Sequence, residues 1–314
     1  MVPESELVEI RKLRVKPGKV ISLKDYPTDY SGKTLNKQMA IDLLEEGRKH
    51  LAQVHEKLYA QNRYSVLIIF QAMDAAGKDS AVKHIMSGFN PLGVRVYSFK
   101  APTEQELDHY YLWRHNLTLP PRGEIAIHNR SHYENVLVTR VHPEYILNER
   151  LPGIESVDKI HEDFWERRFK QINQFEKTLT QNGTIVLKFF LHVSKEEQKK
   201  RFMERIDDPS KNYKFAFGDL KERAHWDEYQ IAYEKAISAT SKKNAPWFVI
   251  PSDDKWYARL AIASVIHQQF EAMNIDYPTI DASQKADLVK ARTMLMSEGD
   301  GKKKGKNSKP EATL

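Results

Sequence analysis

The chain contains no cysteine. That excludes disulfides, thiolate-ligated zinc, iron–sulfur clusters and a cysteine nucleophile, so any metal must be held by oxygen or histidine. Long hydrophobic runs are missing as well. The longest, Ser65–Phe70 and Thr184–Val193, fall far short of the ~20 residues a membrane helix needs, and the N-terminus carries no signal-peptide pattern. A soluble, cytoplasmic protein is expected. No repeat of solenoid period occurs, and low complexity is confined to the last residues.

With 314 residues, 40% hydrophobic and 29% charged, the chain is long enough for one large α/β domain. The formal charge of +6 is unevenly placed: Gly301–Leu314 holds five lysines against Glu311, a net of +4. Such a tail reads as a solvated, disordered end, with attraction to polyanions as the alternative.

Residues 1–31, with Pro3, Pro17 and Pro27 among charges, read as an N-terminal arm. Asn36–Gln61 places Met39, Ile41, Leu43, Leu44, Leu51, Val54 and Leu58 at helical spacing. Ser65–Phe70 is short, continuous and β-branched, the pattern of a central parallel strand covered on both faces. Ser80–Met86 then reads as a helix, and Val94–Phe99 as a second strand. Thr103 and Glu106 form a capping-box pattern for a helix running through Leu112–Arg114 to Pro120. Gly123–His128 and Thr184–Val193 follow as strands, separated by a long helix over Ser156–Thr180. Ser194 with Glu197 caps another helix. Helix Asp219–Ser238, strand Trp247–Ile250 and helix Asp254–Met273 complete the pattern. Strands alternating with helices predict a doubly wound parallel sheet.

Between the first strand and its helix lies Ala72-Met73-Asp74-Ala75-Ala76-Gly77-Lys78-Asp79-Ser80. This is the context that gives a Walker A sequence its meaning: small residues let backbone N–H groups close on phosphate oxygens, the helix N-terminus adds partial positive charge, and Lys78 adds a movable cation. Two departures stand out. Ala72 occupies the first glycine position, and Asp79 follows the lysine where a hydroxyl is usual. Asp74 would repel phosphates unless a divalent cation lay between, so it is read as a magnesium ligand.

A second polar cluster, Asn129-Arg130-Ser131-His132-Tyr133-Glu134, follows the third strand, where open α/β sheets bind ligands. Arg130 presents a planar fork suited to phosphate, or else a salt bridge that holds the loop. His109, His128 and His132 lack metal-site spacing and are read as structural. Trp226 and Tyr229 read as core.

These segments, with Leu112-Trp113-Arg114 and with Asp207-Asp208-Pro209 leading to Lys214, Asp219 and Arg223, resemble the polyphosphate kinase 2 family over about Gly32 to Phe270. The resemblance implies a P-loop kinase-like fold over residues 32–275, a helical lid at about 205–225, and a C-terminal extension over 276–314. It implies transfer of phosphoryl groups between inorganic polyphosphate and nucleotides with Mg2+, or Mn2+ in its place. Asp74, Lys78, Arg130 and Arg223 are then catalytic candidates. Ala75, Ala76, Gly77, Asp79, Ser80, Arg205, Lys211 and Lys214 join Lys78 and Arg130 as phosphate and nucleotide contacts. Many relatives carry aspartate where Asn129 stands. The metal set becomes Asp74, Asn129 and Glu134, and the substitution resembles the subgroup acting on both nucleoside mono- and diphosphates. Read from the residues alone, Asn129 also fits a cap of the following helix. Arg201 is grouped with the lid cations.

The reaction expected is in-line attack by a nucleotide's terminal phosphate oxygen, with no covalent enzyme intermediate. Partners expected are inorganic polyphosphate, AMP, ADP and ATP, guanine nucleotides as further acceptors, and further copies of the chain in a homo-oligomer. Neither nucleic acid nor membrane is expected. Two other readings stay open: an ATP-dependent small-molecule kinase, and a non-catalytic polyanion-binding protein.

Overall fold

The computed structural model describes residues 8–298. The lysine-rich segment Gly301–Leu314 lies outside the described residues. Contacts divide the chain into a unit ending at Asp276 and a second beginning at Tyr277.

Five strands form one sheet: β1 (Ser65–Ala72), β2 (Val94–Ser98), β3 (Ile125–Asn129), β4 (Thr184–His192) and β5 (Trp247–Pro251). Their order is β2-β3-β1-β4-β5, and every pairing is parallel. Every residue of β1 is buried, as its unbroken apolar run requires. Because β1 is flanked by β3 on one side and β4 on the other, its C-terminal end opens at the point where the chain reverses its winding. Such switch points are where doubly wound sheets bind ligands.

Helix α1 (Lys37–Gln61) begins where the Asn36 side chain accepts from the Met39 N–H and ends at Asn62 with φ of 50°. Its buried stripe is Ala40, Leu44, Gly47, Leu51, His55 and Leu58, whereas Met39 and Ile41 face outward. Helix α2 (Lys78–Met86) follows β1, and α3 (Glu162–Gln181) packs on β4. Helices α4 (Lys195–Asp207), α5 (Phe217–Ala224), α6 (Trp226–Thr240) and α7 (Lys255–Met273) also belong to the first unit, with several one-turn helices. Helix α7 packs on α1 and α2, and α6 packs on α3.

The N-terminal arm is part of the packing. Val8, Ile10, Leu13, Val15, Ile21 and Leu23 are buried, and the Val15 N–H donates to the Trp247 carbonyl at 2.9 Å. Arg14 bridges antiparallel to Phe248, so the arm covers the free edge of β5.

Three helices differ from the sequence expectation. The capping box at Thr103 and Glu106 is present, but its helix is one turn, Glu104–Leu107, and a second turn stands at Trp113–Asn116. The break lets Arg114 fold back onto Glu106 at 3.2 Å and stacks His109 on Trp113. The long helix starts at Glu162 rather than Ser156, because Ser156 and His161 are both extended and the first-turn acids Glu162 and Asp163 mark the true N-terminus. The helix expected over Asp219–Ser238 is split at His225 into α5 and α6. The second unit holds helix α8 (Ala282–Ser297), which sequence reasoning left unassigned; an Asp281–Gln284 capping box opens it, and none of its residues is buried. Among the described residues no helix is long and apolar enough to cross a membrane.

Candidate active site

At the end of β1 the chain turns through Ala75 (φ 58°) and Gly77 (φ 105°) into α2. The second value is one that a side chain resists, which explains the single glycine kept in this loop. Each carbonyl from Ala72 to Ala76 is held by a side chain. The Lys78 ammonium donates to Ala72 and Met73 at 2.7 and 3.2 Å, and the Gln198 amide donates to Asp74 at 2.8 Å. Arg201 Nη1 donates to both Ala75 and Ala76 at 3.0 Å, and Ser252 Oγ donates to Ala76 at 2.6 Å. With the loop's acceptors tied down, the unsatisfied N–H groups at the start of α2 are what it offers a ligand, and they suit an anion.

Arg201 is therefore not a lid cation. Nε donates to Glu197, Nη2 donates to the carbonyls of Ser252 and Asp253, and Nη1 holds the loop, so all five guanidinium donors are used. It is only 4% exposed and fastens the loop to the end of β5.

The loop borders a cleft of about 810 Å³. It brings together Asp74, Ala75, Ala76, Gly77, Lys78, Asp79, Ser80, Asn129, Arg130, Arg205, Lys211 and Lys214, as the sequence grouped them. Lys100, Lys255 and Arg259, absent from the sequence-based set, also line it. Leaving aside Arg201, whose donors are all used, eight basic side chains among the described residues face this cleft against four acidic ones. Such an excess attracts a polyanion. Lys100 follows β2 and Lys255 follows β5, so the rule that ligands bind beyond the C-terminal ends of parallel strands was the signal that pointed to them. Arg259, one turn along α7, donates to Ser80 Oγ at 2.7 Å.

Arg130 has φ of 61° and its N–H donates to the Phe70 carbonyl, which pins the β3 exit against β1. Its guanidinium bridges Asp74 at 2.9 Å and Glu134 at 3.5 Å. The charge of Glu134, and after burial that of Asp74, holds Arg130 firmly protonated. Burial raises the Glu134 carboxyl above its ordinary value against the pull of Arg130. Burial, with Arg130 nearby, pushes the Lys78 ammonium down to about 8. Asp219, on the first turn of α5, is raised by burial and by the facing charge of Asp74, and lies 3.5 Å from Arg205. Lys211 is paired with Asp208 at 2.7 Å.

Two sequence-predicted residues do not line the cleft. Glu134 stands behind Arg130, and Arg223 donates to the Lys195 carbonyl and to Gln198 Oε1. The helix-cap reading of Asn129 does not hold, because Ser131 caps the following 3-10 turn. Asn129 instead donates to Asp79 Oδ1 at 2.7 Å, leaving its own buried Oδ1 without a partner. His128 and His132 are buried and kept neutral by burial, and His109 stacks on Trp113. Trp226 and Tyr229 are buried, as expected of core.

Asp74, Asp79 and the orphaned oxygen of Asn129 form an oxygen-only donor set, which fits a hard divalent cation. Among the described residues no group of three histidine, aspartate or glutamate side chains is assembled to hold a metal, and Asp74 is paired with Arg130.

Comparison with known proteins decides the family. Residues 34–278 match the family described as Polyphosphate kinase 2 (PPK2). The chain belongs to the polyphosphate kinase 2 family. Within it, the ADP-polyphosphate phosphotransferase of Rhodopseudomonas palustris is 43% identical over 92% of this chain and 99% of its own. The AMP/ADP-polyphosphate phosphotransferase of Meiothermus ruber is 42% identical over 88% of this chain and 98% of its own. Among solved members, polyphosphate kinase 2 from Arthrobacter aurescens TC1 superposes with a TM-score of 0.79 at 38% identity, covering 88% of this chain and 95% of that one. The polyphosphate kinase 2 core thus takes in the phosphate loop, the β3 exit and α4 to α7 described above.

Proposed function

We propose that this chain transfers the terminal phosphoryl group of inorganic polyphosphate to ADP and AMP, reversibly, in the cleft at the end of β1. The observation that carries the reading is the phosphate loop with every carbonyl from Ala72 to Ala76 tied back, facing an excess of cations, in a chain of this family. In-line transfer needs little covalent help from the protein; positioning and charge stabilisation carry most of it. Ala75, Ala76, Gly77, Asp79 and Ser80 cradle phosphate oxygens. Lys78 and Arg130 neutralise charge on the moving group. The attacking oxygen of a nucleoside phosphate is already anionic near neutral pH, so no strong base is required.

Magnesium, or manganese in its place, would be held by Asp74 and Asn129 with Asp79 alongside, and would supply charge neutralisation of the bridging oxygens. Glu134, the second partner of Arg130, would keep that guanidinium oriented if Asp74 held the metal. Arg205, Lys211 and Lys214, on a lid at about 205–225, close over the polyanion and exclude water. The arm over 1–31 and the extension over 276–314 are assigned no part in the transfer step. Guanine nucleotides are further acceptors, the cytoplasm is the site of action, and a homo-oligomer is the expected assembly.

The test is incubation of AMP, ADP, GMP and GDP, each alone, with polyphosphate and magnesium but no ATP, followed by product separation. ATP from ADP and ADP from AMP are expected. No product from any nucleotide sinks the proposal; a requirement for ATP as donor would favour a small-molecule kinase, and tight binding without turnover a polyanion-binding protein.

A further inference from the structure

Arg223 carries a fork suited to phosphate, yet one of its terminal nitrogens is turned into the protein. Its Nη1 donates to the Lys195 carbonyl at 2.9 Å and to Gln198 Oε1 at 2.6 Å, and its guanidinium stands over the Trp226 ring at 5.8 Å. Gln198, only 1% exposed, uses the other end of its amide to donate to the Asp74 carbonyl at 2.8 Å. An amide is the side chain that can accept at one end and donate at the other, and here both ends are committed. One turn along the same face of α4, Arg201 holds the next two carbonyls of the loop. A further turn on, Arg205 enters the cleft. Helix α4 therefore joins α5, which carries Asp219 and Arg223, to three consecutive peptides of the phosphate loop.

We propose that Gln198 is a positioning residue that couples α5 to the phosphate loop, so that Arg223 acts on phosphoryl transfer through Gln198 and the Asp74 peptide rather than by touching substrate. The inference rests on the activity proposed above for its kinetic arm only. When α5 moves with the lid, the Arg223–Gln198 bond carries that movement to the backbone of Asp74 in the phosphate loop. When the bond is absent, the Asp74 peptide loses its orientation while the cations of the cleft stay in place.

The experiment is a double-mutant cycle on the full chain with Arg223→Ala, Gln198→Ala and the pair, supplemented by Gln198→Glu and Arg223→Lys. Arg223 is partly exposed, so its variants keep the fold even if a change at buried Gln198 does not. Two quantities are read: kcat and KM for polyphosphate with ADP, and amide hydrogen exchange of the peptide spanning residues 70–80 in the free protein. Each alanine variant is expected to lower kcat by roughly 10- to 100-fold, the scale of a small misplacement, with KM changing far less. The pair should be no worse than the worse single variant within about three-fold. Gln198→Glu keeps the acceptor for Arg223 but loses the donor to Asp74, and should be as slow as Gln198→Ala; Arg223→Lys should recover part of the loss. Exchange in the loop should rise equally in both single variants and no further in the pair.

Multiplying effects in the pair, a rise in KM without loss of kcat on Arg223→Ala, or unchanged loop exchange would overturn the relay and return Arg223 to direct contact with substrate. If the parent shows no turnover, the proposed function fails on its own account, and the exchange cycle still decides the relay.

Discussion

Lys78 is a buried cation whose protonation is within reach of experiment. Burial, with help from Arg130, lowers it from an ordinary 10.5 to about 8 in the folded chain. Between those values the unfolded chain holds more protons than the folded one, so stability at this site is complete above 10.5 and is lost as pH falls through about 8. Relative to Lys78→Met, which cannot titrate, the parent should therefore gain stability as pH rises. Integrated from pH 7 to pH 9.5, the gain is about 2 kcal/mol. The neutral amine keeps two N–H donors, so its bonds to the Ala72 and Met73 carbonyls survive deprotonation. Urea denaturation of both proteins at both pH values, with equal m-values, isolates Lys78 because every other titrating group is shared. A difference between parent and variant that does not change with pH would refute the buried-cation argument. The same titration should appear in function as a fall in kcat/KM for polyphosphate as pH rises through about 8, and Lys78→Arg, which stays charged, should flatten that limb.

Asp74→Asn removes one of the four acidic groups in the cleft and the 2.9 Å partner of Arg130. Metal-free polyphosphate should bind as well or better by calorimetry, while turnover falls by roughly 10²-fold or more across a magnesium titration; turnover within a few-fold of the parent would leave Asp74 structural. Arg201→Lys replaces five buried donors with three, stranding acceptors among Glu197 and the carbonyls at the loop and β5. It should lower stability by about 2–5 kcal/mol and weaken polyphosphate binding in parallel. An unchanged melting temperature would contradict the anchoring role.

Much of this arrangement is legible in the sequence wherever one local signal suffices. The unbroken apolar run at Ser65–Phe70 is read as a central strand because continuous burial leaves no alternation to see, and Gly77 with Lys78 marks the turn that follows. The helix opened by Thr103 is misjudged in length because its capping box fixes only a start; the break that follows is set by Arg114 returning to Glu106. Arg201 and Arg205 are one turn apart and chemically identical, yet one is buried against five acceptors and the other faces the cleft. That difference belongs to tertiary packing, since nothing in the local pattern says which arginine meets the loop. Lys255 and Arg259 come to the site only when β5 is placed beside β4. The capping box at Asp281 and Gln284 was a readable signal for α8.

Phosphorus NMR of the purified chain with ADP, polyphosphate and magnesium, in the absence of ATP, tests phosphoryl transfer in this cleft most directly. The ATP β-phosphate resonance should grow in step with loss of polyphosphate phosphoryl groups, with little orthophosphate, and Lys78→Met should slow that growth by roughly 10²–10³-fold without unfolding the chain. Release of orthophosphate without ATP, or ATP formation at the parent rate in Lys78→Met, would contradict phosphoryl transfer at this loop.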